Sequence, residues 1–390
     1  MTQVFNRQRK ASKKEPPHSG SRTNVNYWRI AVLANVYYER LSDDDPPDMG
    51  GDYDSIETIN RICDILRKEG HSVQFIPANR NLPQRVLDYK PHICFNISEG
   101  LNGDSRESQV PGFLELMGIP YTGSRIMANT IALDKPLTKT VWAAAGLPVA
   151  ASQAMAAVDE PLNENLTYPL IVKPSREGSG MGLDPASVVR NDTELRTQVA
   201  KVVNRYHQPA LIEKFLSGRE FTVGVMGHPG AQLRRPEFYG PNGFHYFPII
   251  EVESPNSEVG ICDFAIKHVD ADRATLAQNI SDEFRNYVYD IVVRGHNAIG
   301  ALDISRSDVR CDEDGNPFLL EINPLPGLSK NSHIPTMTRL SGMTYDELVT
   351  EILYLGAARY GLERTPLYQV PADFHTMQLD AMQINQSSIA

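Results

Sequence analysis

The sequence lacks the marks of secreted, membrane-spanning and nucleic-acid-binding proteins. Its apolar runs are all shorter than the ~20 residues of a membrane-spanning helix, and its cysteines form neither a CxxC pair nor a zinc spacing. Acids outnumber bases, 48 to 38, and the resulting net charge of −10 would be repelled by a phosphate backbone. We therefore expect a cytoplasmic protein with no membrane or nucleic-acid partner and with reduced, mostly buried thiols at Cys63, Cys94, Cys262 and Cys311.

Positive charge is concentrated in the first 26 residues, where six Lys and Arg accompany a single acid, Glu15. This segment lacks the apolar core of a secretory signal peptide. A disordered, solvated tail is predicted in preference to a targeting or anchoring segment.

The rest of the sequence is typical of an α/β protein. Apolar runs at 30–34, 73–76 and 93–96 predict strands, and helical spacing from Ile56 to Leu66 predicts a helix that Gly70 ends. This alternation indicates a doubly wound parallel sheet, which collects ligands beyond the carboxyl ends of its strands. The predicted parts are a basic tail at 1–26, an N-terminal α/β domain at 27–125, a central lid domain at 126–209, a C-terminal α+β domain at 210–363 and a tail at 364–390.

Further elements of the two later domains follow from the same patterns. A strand at 170–173 leads into a polar loop at 174–182, and a strand at 210–213 opens the C-terminal domain. A long helix is predicted between about Arg273 and Ile299, and an amphipathic helix at 345–360 closes the domain.

Three oxygen-bearing side chains lie at the ends of two predicted strands. Asp308 ends one strand, Glu321 and Asn323 end the next, and the acidic turn at 312–316 makes the two a hairpin. Residues two apart in a strand face the same side, so Glu321 and Asn323 project together and the hairpin brings Asp308 beside them. Such oxygens suit Mg²⁺, which binds one or two carboxylates together with substrate phosphates. We predict a magnesium site here rather than a solvated hairpin, with two ions if Glu321 bridges them.

A glycine-rich loop follows Lys173 at the end of its strand. Three glycines and two serines at 174–182 provide a flexible backbone whose N–H groups can surround phosphates within reach of Lys173. The pattern is neither a P-loop nor a dinucleotide-binding fingerprint, and an ordinary turn is the alternative for the loop alone. A second lysine, Lys135, strengthens the phosphate interpretation.

The segment 213–221 carries two acids, Glu213 and Glu220, on either side of Phe215. A purine needs a flat apolar surface and an acceptor for its amino group, and a ribose needs a carboxylate. The segment can supply all three, although in isolation it is more typical of a charged hairpin.

Together these segments resemble the ATP-grasp superfamily and, within it, the D-alanine–D-alanine ligases. The resemblance extends from about residue 28 to about residue 362 and is densest at 114–124, 133–135, 173–182, 213–223 and 308–335. It implies an ATP-grasp architecture and an ADP-forming carboxylate–amine ligase that uses ATP and two Mg²⁺ ions, with Mn²⁺ as the alternative metal. It also implies amino-acid-like substrates and a homodimer.

The resemblance assigns roles to individual residues. Phosphate binding falls to Lys135, Lys173, Lys267, Glu177, Gly178, Ser179 and Gly180, adenine binding to Glu213, Phe215 and Leu216, ribose binding to Glu220, and metal binding to Asp308, Glu321 and Asn323. Catalysis is assigned to Ser179 and Lys267, and to Arg306 and Gly327, which would surround a developing oxyanion. Asp303 offers a second match for the metal-binding aspartate, but only Asp308 has the family spacing of 13 positions before Glu321 (321 − 308).

Departures from the family pattern fall where the amino-acid substrates would bind. Glu99 stands where the family has a histidine, His268 where it has a tyrosine and His333 where it has an apolar residue. The family's early glutamate has no clear counterpart, and candidates lie in the acidic loop before Ser55. A lone histidine is more often a surface residue than a ligand. The predicted substrate-binding residues are Glu99, Arg106, His268, Ser332 and His333, with Arg106 or Arg235 able to receive an additional carboxylate.

Four functions are weighed against this pattern. The leading one is an amide-forming ligase of a specialised pathway. The others are a D-alanine–D-alanine ligase of cell-wall synthesis, a nucleotide-binding or regulatory protein without catalysis, and a kinase that stops at an acyl phosphate. The complete metal set and both phosphate lysines speak against the regulatory protein, and Arg306 with Gly327 speaks against the kinase.

Overall fold

The first described part of the chain forms a parallel sheet of three strands, β1 (Arg29–Ala34), β2 (Ser72–Pro77) and β3 (Ile93–Ile97). The order is β2–β1–β3, and both outer strands run parallel to β1, as the sequence predicts. Five of the six β1 residues are buried, as is usual for a strand covered on both faces. The computed structural model describes residues 27–36, 53–178, 180–231, 233–253 and 273–362.

Helices flank this sheet. α1 (Ile56–Lys68) begins at Ser55, whose side chain accepts a hydrogen bond from Thr58 N, and Gly70 beyond its end has φ +94°, which confirms the predicted helix and its stop. Two observed helices have no counterpart in the prediction. One lies between β2 and β3, and the other ends just before residue 135. α2 (Leu82–Tyr89) and α3 (Gln109–Leu116) also pack on this sheet, and α4 (Ile126–Leu133) follows them in the chain.

The central sheet is antiparallel. It contains β4 (Ser152–Met155), β5 (Leu170–Pro174), β6 (Val188–Val189) and β7 (Ala210–Lys214) in the order β4–β7–β5–β6, and α5 (Lys135–Ala144) and α6 (Asp192–Tyr206) belong to the same part of the chain. Because β7 pairs with both β4 and β5, a domain boundary at residue 210 would separate β7 from its own sheet. A boundary after β7 keeps the sheet whole, and the three-domain division remains a prediction.

The third sheet is built from six strands, β8 (Glu220–Gly227), β9 (Phe244–Tyr246), β10 (Ile250–Glu253), β11 (Arg273–Leu276), β12 (Ile304–Cys311) and β13 (Pro317–Asn323). Their order is β11–β10–β8–β12–β13, and β9 also pairs with β8. The predicted start of the long helix is wrong, because residues 273–276 pair with β10 as an edge strand. The helix, α7 (Asp282–Ala298), begins after Ser281, whose hydroxyl accepts a hydrogen bond from Phe284 N.

A β-bulge determines which residues of β13 face the core. Asp308 pairs with Glu321, but the pairing then shifts by one residue and leaves Leu320 extra. Strict alternation would place Leu319 on the same face as Glu321. With the bulge, Leu319 and Ile322 both enter the buried core, whereas Leu320 and Glu321 line a cavity.

The last helices of the described chain are α8 (His333–Leu340) and α9 (Tyr345–Arg359). At the end of α9, Arg359 Nη2 lies 2.8 Å from Asp303 Oδ2, and Gly123 N donates to the same oxygen at 2.8 Å. Asp303 is fully buried, and these contacts join α9, the segment between α3 and α4 and the start of β12. This position agrees with its exclusion as a metal ligand on spacing.

The described residues include no helix that is both long and apolar enough to span a membrane. Cys63, Cys94 and Cys311 are buried, as predicted, each is a free thiol, and burial raises the pKa of Cys63 to about 12. Cys262 and the predicted tails at 1–26 and 364–390 lie outside the described residues.

Candidate active site

Two adjoining cavities open beside β12 and β13. The first, of about 320 Å³, is called the large cavity here, and the second, of about 90 Å³, the narrow cavity. The large cavity is bounded by loops of the first sheet and by the start of α8, whereas the narrow cavity lies between the central and third sheets. Four residues line both: Lys135, Glu177, Gly178 and Glu321.

Four side chains of the β12–β13 hairpin project from one face where the cavities meet. Asp308 is the cross-strand partner of Glu321, and Arg306 is the partner of Asn323, which confirms the predicted hairpin. Arg306, Glu321 and Asn323 line the large cavity, and Asp308 and Glu321 line the narrow one. The two carboxylates therefore stand at the passage from one cavity to the other.

Two cationic side chains lie beside these carboxylates, and one carboxylate oxygen is left without a partner among the described residues. Arg306 Nη2 lies 3.2 Å from Asp308 Oδ2 and 3.9 Å from Glu321 Oε1, and Lys135 Nζ lies 3.5 Å from Glu321 Oε2. The other oxygen of Asp308, Oδ1, is buried and has no hydrogen-bond partner within the described chain. A buried carboxylate oxygen without a donor is costly, and a divalent ion would relieve that cost.

The protein supplies only part of a metal coordination shell. Among the described residues, no group of three or more His, Cys, Asp or Glu side chains could hold an ion. The amide of Asn323, whose Oδ1 accepts a hydrogen bond from Leu325 N at 2.8 Å, stays the predicted third oxygen ligand beside Asp308 and Glu321. Phosphate and water oxygens would have to complete the shell, which is usual for Mg²⁺.

The carboxylate of Glu213, a predicted adenine-binding residue, is engaged by two lysines. Glu213 is 2% exposed, its Oε2 lies 2.6 Å from Lys173 Nζ, and its Oε1 forms an ion pair with Lys139 Nζ. Burial would raise the pKa of Glu213, but the two ammonium groups outweigh burial and hold this pKa at about 2. Glu213 also lines the narrow cavity, and its adenine contact stays a prediction.

Arg310 belongs to the narrow cavity, although sequence reasoning overlooked it. Its guanidinium lies 5.3 Å from the centre of the Phe215 ring and 2.9 Å from Glu220 Oε2. The available signal was its place two residues after Asp308, on the same side of a strand. Phe215 and Leu216 line the cavity where an adenine site is predicted, and Glu220 lines it with its carboxylate partly engaged.

The loop after β5 is held by charged contacts to other segments. Lys135 Nζ donates to the carbonyl of Glu177, and Arg106 Nη1 donates to the carbonyl of Arg176 at 2.9 Å. Arg106 Nη2 also lies 3.2 Å from Glu177 Oε2, and Arg176 Nη1 lies 3.2 Å from Asp104 Oδ1. Arg106, predicted to bind substrate, is therefore a contact of the loop. It lines a side cavity of about 260 Å³ rather than the large cavity.

The glycines of this loop face the cavities. Gly178 lines both and Gly180, at φ +72°, lines the narrow one together with Lys173. Three predicted site residues lie outside the described residues, and their roles stay predictions: Ser179, Lys267 and His268.

The wall that the first sheet gives to the large cavity is acidic. Glu99, whose substrate-binding role stays a prediction, lies there together with Asp54 and Glu107, which sequence reasoning did not assign. Burial raises the pKa of Asp54 to about 7. Asp54 follows the acidic loop that holds the candidates for the early glutamate, and residues 37–52 of that loop lie outside the described chain.

The opposite wall contains Ser332, His333 and Gly327. Ser332 Oγ lies 2.7 Å from Ser329 Oγ, and a Cβ at Gly327 would come within 3.0 Å of Ser332 Oγ. His333 is only 8% exposed at the first position of α8, so the expectation of a surface histidine is wrong.

Arg235 does not face the large cavity. Its guanidinium forms an ion pair with Glu347 of α9, and the neighbouring Arg234 Nη1 lies 3.1 Å from Glu69 Oε2 just after α1. The predicted use of Arg235 for a substrate carboxylate is therefore wrong in this structure.

Known proteins share both the sequence pattern and the fold. A family model described as "D-ala D-ala ligase C-terminus" matches residues 141–354. A D-alanine–D-alanine ligase of Citrifermentans bemidjiense is 34% identical over 77% of this chain and 90% of its own length. The uncharacterized protein y4sG of Sinorhizobium fredii is 29% identical over 85% of this chain and 98% of its own. The Bacillus anthracis D-alanine–D-alanine ligase complexed with ATP is alike in fold, with a TM-score of 0.65 at 21% identity, over 87% of this chain and 100% of that one.

Proposed function

The chain belongs to the D-alanine–D-alanine ligase family of ATP-grasp proteins, and we propose that it joins an amino-acid-like carboxylate to an amine with ATP and Mg²⁺. Membership makes the chain an ATP-dependent, ADP-forming ligase. The substrates, the ion and the roles of single residues are the proposed part.

The main support for the proposal is that Glu321 and Lys135 line both cavities. A nucleotide in the narrow cavity would extend its phosphates toward these residues, and a carboxylate in the large cavity would meet them from the other side. Holding two reactants in line lowers the entropic part of the barrier.

In the first proposed step, a substrate carboxylate oxygen attacks the γ-phosphorus of ATP, ADP leaves and an acyl phosphate forms. Lys135, Lys173 and Lys267 bind the phosphates, and their charges offset the charge of the transferring group. Mg²⁺, when bound, adds the same electrostatic stabilisation, and Asp308, Glu321 and Asn323 would hold it.

In the second proposed step, an amine attacks the acyl carbonyl and inorganic phosphate leaves, which yields the amide. Arg306 and the backbone N–H of Gly327 donate to the developing oxyanion, a contribution typically worth about 3 kcal/mol. Both residues line the large cavity. The loop at 174–182 would exclude the water that otherwise hydrolyses an acyl phosphate.

Substitution of Glu321 tests the proposal. Glu321→Ala should abolish phosphate release from ATP and amide formation while leaving the fold, because the side chain lies at a strand end and is 24% exposed. The assay is phosphate release with ATP, Mg²⁺ and pairs of amino acids, followed by mass spectrometry of the products. Asp314→Ala, in the exposed turn of the same hairpin, is the control and should remain active. Near-normal turnover by folded Glu321→Ala would refute the metal assignment.

Ligation of two D-alanines, the activity in the name of the 34% identical relative, is the second candidate function. The walls formed by Glu99 and His333 support a different carboxylate substrate, so D-alanine should react poorly. Steady-state kinetics with D-alanine as the only amino acid separates the two candidates. A kcat/KM of about 10⁴ M⁻¹s⁻¹ or more, which is typical of natural substrates, would establish D-alanine as a substrate.

A further inference from the structure

A buried charge cluster, defined as Lys139, Glu213 and Lys173, lies against the narrow cavity. The side chains of Lys139 and Glu213 are 3% and 2% exposed, and that of Lys173 is 11% exposed. The carboxylate lies between the two ammonium groups, bound to Lys139 through Oε1 and to Lys173 through Oε2. Glu213 and Lys173 line the cavity, whereas Lys139 lies behind them on α5.

The central sheet fixes this arrangement. Along the β5–β7 pair, Lys173 is opposite Leu211 and Glu213 is opposite Ile171. Lys173 and Glu213 are therefore diagonal neighbours on one face, within reach of each other. Lys139 contributes the third charge from a helix, so its position does not depend on the strand register.

With both lysines protonated the cluster holds two positive charges and one negative charge, which is unfavourable in a buried place, and burial lowers the pKa of Lys139. Glu321 and Glu220 also act on Lys173, but Glu321 has Lys135 and Arg306 beside it, and Glu220 has Arg310. An anion arriving in the narrow cavity would balance the excess positive charge of the cluster.

We propose that Lys139 is a positioning residue, which pairs with one oxygen of Glu213. The negative charge of Glu213 then offsets the charge of Lys173 only in part, and the remainder is available to the phosphates of a nucleotide. Lys139 itself does not touch the nucleotide. Without Lys139, the whole negative charge of Glu213 would offset the positive charge of Lys173. The ammonium group of Lys173 would also be drawn toward Glu213 and away from the cavity. The inference rests on the proposed phosphate-binding role of Lys173.

Nucleotide affinity tests the inference. Isothermal titration of the Mg²⁺ complex of a non-hydrolysable ATP analogue should give a dissociation constant on the order of tenfold higher for Lys139→Met than for the wild type. The KM of the amino-acid substrates should change by less than about twofold, because the large cavity does not include the cluster. Lys139→Arg, which keeps the charge, should restore most of the affinity. Lys201→Met is the matched control, since it removes an ion pair with Asp184 in the same part of the chain.

The outcomes separate this inference from the proposed function. Unchanged nucleotide affinity in folded Lys139→Met would overturn it, and so would an equal loss of nucleotide and amino-acid affinity. If Lys139→Met does not fold, Lys139→Gln provides the same measurement with a neutral side chain that can still donate to Glu213. Wild-type protein that binds the analogue but forms no amide would refute the proposed function alone.

Discussion

Asp54 is a single carboxyl group whose environment links folding to pH. Its folded-state pKa of about 7 lies above the ordinary 3.8 because the surrounding protein removes much of the water around its carboxyl group. Between these values the folded protein retains a proton that the unfolded chain has lost. The contribution of this proton to the free energy of unfolding is therefore present in full below about pH 4 and is lost as the pH rises to about 7.

We expect Asp54→Asn to stabilise the protein at pH 8 relative to wild type, by at most a few kcal/mol, and to change little at pH 4. Urea unfolding at the two pH values measures the difference. Asp64→Asn is the control, because Asp64 is an exposed acid on neighbouring α1. An Asp54→Asn effect that is the same at both pH values would show that burial does not shift this group.

Sequence reasoning succeeded at the residue scale where the relation between residues is local. It placed Asp308 beside Glu321 because a short hairpin joins them. It overlooked the ion pair of Lys139 with Glu213, since these two residues are 74 positions apart (213 − 139) and meet only when α5 packs beside β7. Local patterns contain no information about such a pair.

At the scale of elements, the loop after β5 is tied to the segment before α3 by Arg106. We expect Arg106→Met to loosen the loop, so that water reaches the proposed acyl phosphate and ATP is consumed without ligation. The ratio of phosphate released to amide formed should rise clearly above one, whereas the wild type stays near one. Arg285→Met, which removes an exposed ion pair with Asp282, should leave the ratio unchanged. A ratio of one in Arg106→Met would show that these contacts do not exclude water.

The elements that sequence reasoning missed have identifiable physical causes. α4 is apolar along most of its length, so it shows no polar face and no helical periodicity. The residues of β11 lead directly into a helical pattern and become a strand only by pairing with β10. The bulge at Leu320 reverses the alternation within β13, and only the paired strand reveals it. The parallel first sheet was predictable because its strands are short apolar runs separated by turn residues.

At the scale of the whole molecule, the ion pair of Asp303 and Arg359 connects distant parts of the chain. Asp303→Asn would leave the guanidinium of Arg359, which is 6% exposed, without its countercharge. A broken buried pair typically costs about 3–5 kcal/mol, whereas an exposed pair is worth at most about 1 kcal/mol. Asp290→Asn removes the exposed pair with Arg294 and is the control. Chemical denaturation should show a loss several times larger for Asp303→Asn, and equal losses would contradict the structural role of this pair.

The division of the walls between the two cavities has a consequence for how such a protein can diversify. Among the described residues, loops of the first sheet line the large cavity and contribute nothing to the walls of the narrow one. Mutations at Asp54, Glu99 or Glu107 can therefore alter which substrate is accepted without disturbing the narrow cavity at Phe215 and Lys173. Related proteins that share the same narrow cavity could in this way evolve new products through changes in the loops of the first sheet alone. The narrow cavity would need no compensating change.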